Sequence, residues 1–322
     1  MNILVVRTDK LGDFITALPT LYVLKNYDRS NKIIVCTSTI NEVLARECDF
    51  IDDVIVDDKE SSVFTLSSKI REKNIDASIT LFSNTRVAFA QFLARIPKRI
   101  APATKIAQIF YTHRIKQRRS EVKMAEFEYN LALAQELFTD IDLNYRQPLL
   151  SFDDRESFYE VFCRNHEIEK EVIAFHVGFG GSSDANLTLD EYENLIKNLL
   201  ITKKYQVVMT FGPDEIDLYE TMQNRFKGLD IVFYLSVDGL VYFAKLISCF
   251  KLFVSTSTGT YHLASLVGTP TLTFFGDSLF ASASRWKGVG RLEKQAHFML
   301  PVEGTEDRKE ICKEIKLELL NF

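Results

Sequence analysis

Four short segments carry side chains able to do chemistry on a charged, hydroxyl-rich substrate. The most informative reads Val254-Ser255-Thr256-Ser257-Thr258-Gly259-Thr260-Tyr261-His262, an apolar run that stops at a hydroxyl and glycine turn and restarts with helical spacing. A helix N-terminus carries roughly half a unit of positive charge together with unpaired N–H donors, so a diphosphate can dock there without a lysine cradle. The turn therefore predicts open backbone donors at Ser257, Thr258 and Gly259, with His262 one turn into the helix. Ordinary strand–turn–helix packing has the same look, and the segment alone leaves both readings open.

The second segment is Arg7-Thr8-Asp9-Lys10-Leu11-Gly12-Asp13. Gly12 permits a tight turn, and Asp13 at a helix start is either a cap or a general base for a substrate hydroxyl. The third, His176-Val177-Gly178-Phe179-Gly180-Gly181-Ser182-Ser183, offers an anion the donors of Gly178, Ser182 and Ser183, or forms a plain flexible loop. In the fourth, Gly212-Pro213-Asp214-Glu215, Glu215 either accepts hydrogen bonds from ribose hydroxyls or places negative charge at a helix start. Neither G-x-G-x-x-G nor G-x-x-x-x-G-K-[ST] occurs, which weighs against nicotinamide and ATPase chemistry.

Each segment must be held by a strand and a helix. Apolar runs at Ile3 to Val6, Ile33 to Cys36, Val54 to Val56 and Ala77 to Leu81 predict strands, with a short one at Arg99 to Ile100. Helices are expected over Phe14 to Asn26 (kinked at Pro19), Asn41 to Arg46, Ser67 to Lys73, Asn84 to Leu93 and Met124 to Phe138. The polar stretch Asp140 to Glu156, with Pro148, reads as a linker. A second alternation follows, with strands at Val172 to His176, Gln206 to Thr210, Ile231 to Phe233, Leu252 to Val254 and Thr271 to Phe275. Helices are expected at Leu189 to Leu200, Ile216 to Arg225, Val237 to Ile247, Tyr261 to Val267 and Glu306 to Phe322. Two doubly wound α/β domains, 1–150 and 151–322, are the result. Their ligand cleft is expected at the carboxyl ends of the strands of both sheets.

Composition fits a globular enzyme: 322 residues, 46% hydrophobic and 26% charged. Five cysteines, with no C-x-x-C pair and no metal-ligand spacing, predict neither a disulfide framework nor a metal site and fit a reducing cytoplasm. No leader-like or membrane-spanning run is seen. The net charge of −5 is unevenly spread. From Arg95 to Lys123 nine Lys/Arg, among them Arg114, Lys116, Arg118 and Arg119, meet one acid, giving +8 here and −13 elsewhere. A polyanionic partner is indicated, whether nucleic acid, anionic lipid headgroups or an acidic sugar; the pI of about 5.7 weighs against a general nucleic-acid binder.

Taken together, Leu11 to Pro19 (L-G-D followed by T-A-L-P), His176 to Ser183, Gly212 to Glu215 and Ser257 to Gly276 resemble glycosyltransferase family 9, the ADP-heptose:lipopolysaccharide heptosyltransferase group. The resemblance covers nearly the whole chain. It implies a GT-B architecture, two Rossmann-like domains facing a central cleft, with acceptor held by the first and nucleotide sugar by the second. It further implies an inverting, metal-independent transfer with no cofactor. Asp13 maps onto the base, Glu215 onto the ribose contact, and Ser257, Thr258, Gly259 and His262 onto diphosphate and sugar contacts. Gly178, Ser182 and Ser183 complete the donor set, and Lys10 joins the four basic residues on the acceptor side.

The implied partners are a nucleotide-sugar donor, ADP-heptose by default, and an anionic lipopolysaccharide or glycan acceptor, with no nucleic acid. The implied location is the cytoplasm, with peripheral contact at the inner face of the inner membrane. Two departures from the family pattern leave the donor open. Ser257 stands where an aspartate is usual, and Ala185 and Leu187 stand where a lysine and a tryptophan are usual. A sugar-nucleotide-binding or regulatory protein that kept the fold and lost catalysis is the alternative reading.

Overall fold

A computed structural model describes residues 1–179 and 185–322 as two compact units, Met1–Leu149 and Leu150–Phe322. In the first unit the apolar runs become β1 (Asn2–Arg7), β2 (Lys32–Ser38), β3 (Asp53–Asp57), β4 (Ala77–Thr80), β5 (Lys98–Pro102) and β6 (His113–Ile115). They form one wholly parallel sheet in the order β3-β2-β1-β4-β5-β6. Its helices are α1 (Leu11–Ile15), α2 (Leu18–Tyr27), α3 (Glu42–Arg46), α4 (Val63–Arg71), α5 (Thr85–Leu93) and α6 (Glu126–Gln135). Covered strands need apolar side chains on both faces, which is why β1 is a near-continuous hydrophobic run rather than an alternating one. Leu4, Val6, Ile34, Cys36, Leu66, Ile70 and Val87 fill part of the core beside it.

The second unit holds β7 (Val172–His176), β8 (Gln206–Phe211), β9 (Ile231–Leu235), β10 (Leu252–Thr256), β11 (Thr271–Gly276) and β12 (Gln295–Leu300). Helices α7 (Arg155–Asn165), α8 (Leu189–Thr202), α9 (Ile216–Arg225), α10 (Leu240–Ser248), α11 (Gly259–Leu266), α12 (Ala283–Trp286) and α13 (Glu306–Asn321) accompany them. Its sheet is also wholly parallel, in the order β12-β11-β10-β7-β8-β9, the same winding as the first. α13 is pinned by Arg308, which grips both carboxylate oxygens of Glu191 on α8 at 2.9 and 2.7 Å. Desolvation would raise the Glu191 carboxyl, but Arg308 and the Thr188 N–H prevail and hold it down at about 2.

The structure departs from the sequence reading in places that follow from local chemistry. Phe14 to Asn26 is not one kinked helix: α1 ends, and α2 begins with Pro19 in its first turn, where the missing N–H costs nothing. Gly12 is helical within α1. The expected linker runs into α7, whose Phe162 is its buried residue. β6 and β12 also go beyond the apolar runs.

In a doubly wound sheet the connections reverse direction at one point, leaving a crevice outside the carboxyl ends of the two central strands. Here those pairs are β1/β4 and β7/β10. The segments after β1, β7 and β10 are three of the four singled out above; the fourth follows β8.

Candidate active site

In the first unit the crevice is organised by Arg7, the last residue of β1 and 1% exposed. A buried guanidinium needs anionic partners, and three carboxylates supply them. Asp13 Oδ1 lies 2.5 Å from Nη2, Asp9 Oδ1 2.8 Å from Nε, and Glu126 Oε1 3.3 Å from Nη1. The same Glu126 oxygen accepts from Arg119 Nη1 at 2.5 Å. Burial pushes the Asp9 carboxyl up to about 6; Arg7 pulls it down, and the neighbouring Asp13 adds to the rise.

Asp13 is not a cap. The α1 cap position is Lys10, whose side chain makes no cap bond, and Asp13 sits in the first turn with its carboxylate turned to Arg7. The helix is fixed from the far side: Thr16 Oγ1 donates to the Asp13 carbonyl at 2.7 Å, and Asn130 Nδ2 of α6 donates to Thr16 at 3.1 Å. Lys10 itself is exposed.

The basic segment divides. Arg114, Lys116 and Arg118 are exposed, whereas Arg119 is partly buried, held by Gln117 Oε1 and Glu126. Arg119 therefore belongs to the charge cluster behind Asp13 rather than to the open cationic surface. Arg7, Asp9 and Glu126 were not singled out from sequence. The available signal was an arginine ending an otherwise apolar buried strand.

In the second unit, β7 ends at His176, buried, with Nδ1 3.1 Å from Thr210 Oγ1 and Nε2 3.7 Å from Glu215 Oε2. Desolvation lowers the His176 pKa, with Glu215 pulling the other way. Glu215 occupies the cap of α9 but reaches back, its Oε2 accepting the Gly212 N–H at 2.7 Å. Its carboxylate lies over Gly178 so closely that a β-carbon there would come within 1.8 Å of Oε1. Gly178 and Glu215 are thus brought together; Ser182 and Ser183 lie outside the described residues.

After β10, Ser257 N–H does not stay open: it donates to the Phe274 carbonyl at 2.8 Å and extends the sheet. Thr258 caps α11 without a side-chain cap bond, and the first backbone bond of the helix is His262 N–H to Thr258 O. The N–H groups of Gly259 and Thr260 in this first turn point out of the helix as potential anion donors. His262 is buried, its Nδ1 has no hydrogen-bond partner among the described residues, and burial pushes its pKa down to about 4, so the ring is neutral. The helix is clamped along its flank, where Gly288 N–H donates to Tyr261 Oη at 2.6 Å and Gly290 N–H to Ser265 Oγ at 2.7 Å. Among the described residues no group of three or more His, Cys, Asp or Glu is placed to hold a metal ion.

Two similarly wound parallel α/β units, with the four segments at their strand ends, have the architecture of the GT-B class, and the comparisons agree. A family model described as glycosyltransferase family 9 (heptosyltransferase) matches residues 63–317. A Haemophilus influenzae protein named "Putative glycosyltransferase" is 35% identical over 310 residues, 93% of this chain and 89% of that one. The chain belongs to glycosyltransferase family 9 and is a glycosyltransferase.

Its fold is shared with E. coli ADP-heptose lps heptosyltransferase II (TM-score 0.78, 18% identity, 99% of each chain). The family 9 glycosyl transferase from Veillonella parvula is similarly close (TM-score 0.79, 17% identity, 98% of this chain and 89% of that one). E. coli heptosyltransferase WaaC, solved with ADP, gives a TM-score of 0.74 at 18% identity, covering 98% of this chain and all of that one.

Proposed function

We propose that this enzyme is an inverting, metal-independent transferase that moves a sugar, heptose by default, from a nucleotide-diphosphate donor to a lipopolysaccharide core or related surface-glycan acceptor. The observation that carries the reading is the Asp13 carboxylate, fixed in the first turn of α1 by buried Arg7. Arg7 is shared with Asp9 and Glu126, so the arginine keeps anionic partners when Asp13 takes up a proton.

In the proposed step Asp13 accepts the proton of an acceptor hydroxyl. The oxygen attacks the anomeric carbon, and the bond to the diphosphate breaks with its electron pair leaving on phosphate oxygen. Attack from the face opposite the leaving group inverts the centre. The first-turn donors of α11, with Thr258 and neutral His262, would meet the developing diphosphate charge, and Glu215 and Gly178 the ribose. That the WaaC structures contain ADP and ADP-2-deoxy-2-fluoro heptose supports a nucleotide sugar as donor.

The test is incubation with a panel of nucleotide sugars, reading thermal stabilisation and then transfer to a delipidated core oligosaccharide. Stabilisation by one donor class followed by transfer is expected. Stabilisation without transfer to any acceptor would favour a binding protein, consistent with Ser257 where the family usually has an aspartate.

A further inference from the structure

Lys105 is held in a backbone conformation that its side chain makes costly. It precedes the 3-10 helix Ile106–Phe110 with φ +56° and ψ 178°. A β-carbon is crowded at those angles, and glycine is the residue that takes them freely. From that backbone the ammonium reaches the ring of Phe82, 4.7 Å from its centroid. The Arg7 guanidinium lies over the same ring at 5.5 Å. One aromatic ring thus spans from Lys105 to the arginine that holds Asp13.

Strand order brings the three residues together. Arg7, Phe82 and Lys105 stand at or just beyond the carboxyl ends of β1, β4 and β5, three neighbours in the sheet. The chain beside Phe82 is fixed from two sides. Ser83 Oγ donates to Tyr111 Oη at 3.1 Å, and Asn84 caps α5 through Oδ1 while its Nδ2 lies 3.4 Å from Thr8 Oγ1. The two cations differ in what they leave unused. Arg7 is buried and directs its donors to Asp9, Asp13 and Glu126. Lys105 is exposed and makes no ion pair among the described residues, and no Asp or Glu occurs from Ala77 to Ser120. An exposed cation gains only modestly from a ring face and keeps its charge available to a ligand.

We propose that Lys105 determines which acceptor is used: its ammonium binds a carboxylate or phosphate borne by the sugar whose hydroxyl meets Asp13, or by the sugar next to it. Anion and hydroxyl are read together because Phe82 sets the spacing between Lys105 and Arg7. Arg114, Lys116 and Arg118 lie on or after the edge strand β6 and attract an acidic glycan without choosing among its hydroxyls. The inference rests on the reading of Asp13 as the base, and it adds where on the acceptor the charge must be.

The test is calorimetric binding of a delipidated core oligosaccharide in three forms: native, with its carboxyl groups reduced to alcohols, and dephosphorylated. The wild type should bind the native form about tenfold more tightly than one of the two stripped forms, which identifies the anion. Lys105→Gln should bind the native form about tenfold more weakly than the wild type and no longer tell the forms apart, and Lys105→Arg should keep the distinction. Lys105→Gly should lose the distinction yet hold its melting temperature, because glycine relieves the backbone. A wild type that binds all three forms alike, or does not bind the native one, refutes the proposal. So does a Gln variant that keeps the distinction, or one that loses all three forms equally, as a structural role would have it. Charge-dependent binding through Lys105 with no transfer to any acceptor would remove the reaction and support the Lys105 contact.

Discussion

At the scale of single residues the cluster around Arg7 makes the sharpest predictions. Asp13→Asn should lower turnover at least about a hundredfold, the size expected for loss of general-base help, with donor affinity and melting temperature near those of the wild type. Near-normal turnover would remove Asp13 from the mechanism. Asp9 predicts a pH signature in stability. Its carboxyl, at about 6 in the folded protein against an ordinary 3.8, binds its proton more tightly when folded. The contribution of Asp9 to stability is therefore greatest at low pH and declines as pH rises from about 4 to about 6, by no more than about 3 kcal/mol. Asp9→Asn should flatten that part of a stability-against-pH curve measured by urea unfolding; an unaltered curve would refute the shift.

Among the secondary elements, Gly178, two residues beyond β7, and the start of α9 act as one unit because Glu215 lies on Gly178. Glu215→Ala should weaken nucleotide affinity by about 1 to 2 kcal/mol through lost charge-assisted bonds. Gly178→Ala should do likewise by displacing the same carboxylate, since its β-carbon and Oε1 cannot share that space. Calorimetry giving wild-type affinity for both variants would place the ribose elsewhere. The segment after β5 splits by role. Replacing Arg114, Lys116 and Arg118 together by Ser should raise the acceptor KM several-fold, an effect that shrinks with salt, and leave donor affinity unchanged. Arg119→Ser should instead lower kcat, because it unbalances Glu126 and, through it, Arg7.

What the sequence made legible at this scale follows burial. Ile3 to Val6, Val172 to His176 and Thr271 to Phe275 are apolar because helices cover both faces of their sheets, and they read as strands at once. β6, His-Arg-Ile, lies at a sheet edge with two exposed residues and shows no apolar run, and Gln295–Leu300 is only half buried, its apolar run limited to Phe298, Met299 and Leu300. α7 has one fully buried side chain, Phe162, and its polar start was indistinguishable from a linker. In the site, Asp13, Glu215 and the α11 turn carried spacing that sequence can register. Arg7, Asp9 and Glu126 meet across 119 residues of chain, and no local pattern encodes that.

For the whole molecule, the proposed function would give each half of the transfer its own unit, the first offering the Asp13 carboxylate and the second the helix-terminal donors of α11. Activity should accordingly survive EDTA, because the first turn of α11 can neutralise a diphosphate without a divalent ion. Complete loss with chelator, restored by Mg²⁺ or Mn²⁺, would overturn that view. No described helix is long and apolar enough to cross a membrane. The lopsided charge has a further consequence. With +8 gathered between Arg95 and Lys123 and −13 spread over the remainder, the protein has a permanent electric moment. Near any negatively charged boundary that moment feels a torque: one end is drawn in while the rest is pushed away, so the molecule turns before it touches. Screening confines the effect to the last 8 Å or so at physiological ionic strength. Diffusion then searches one face of the protein rather than all of it, and arrival in the right orientation becomes the common outcome of a collision.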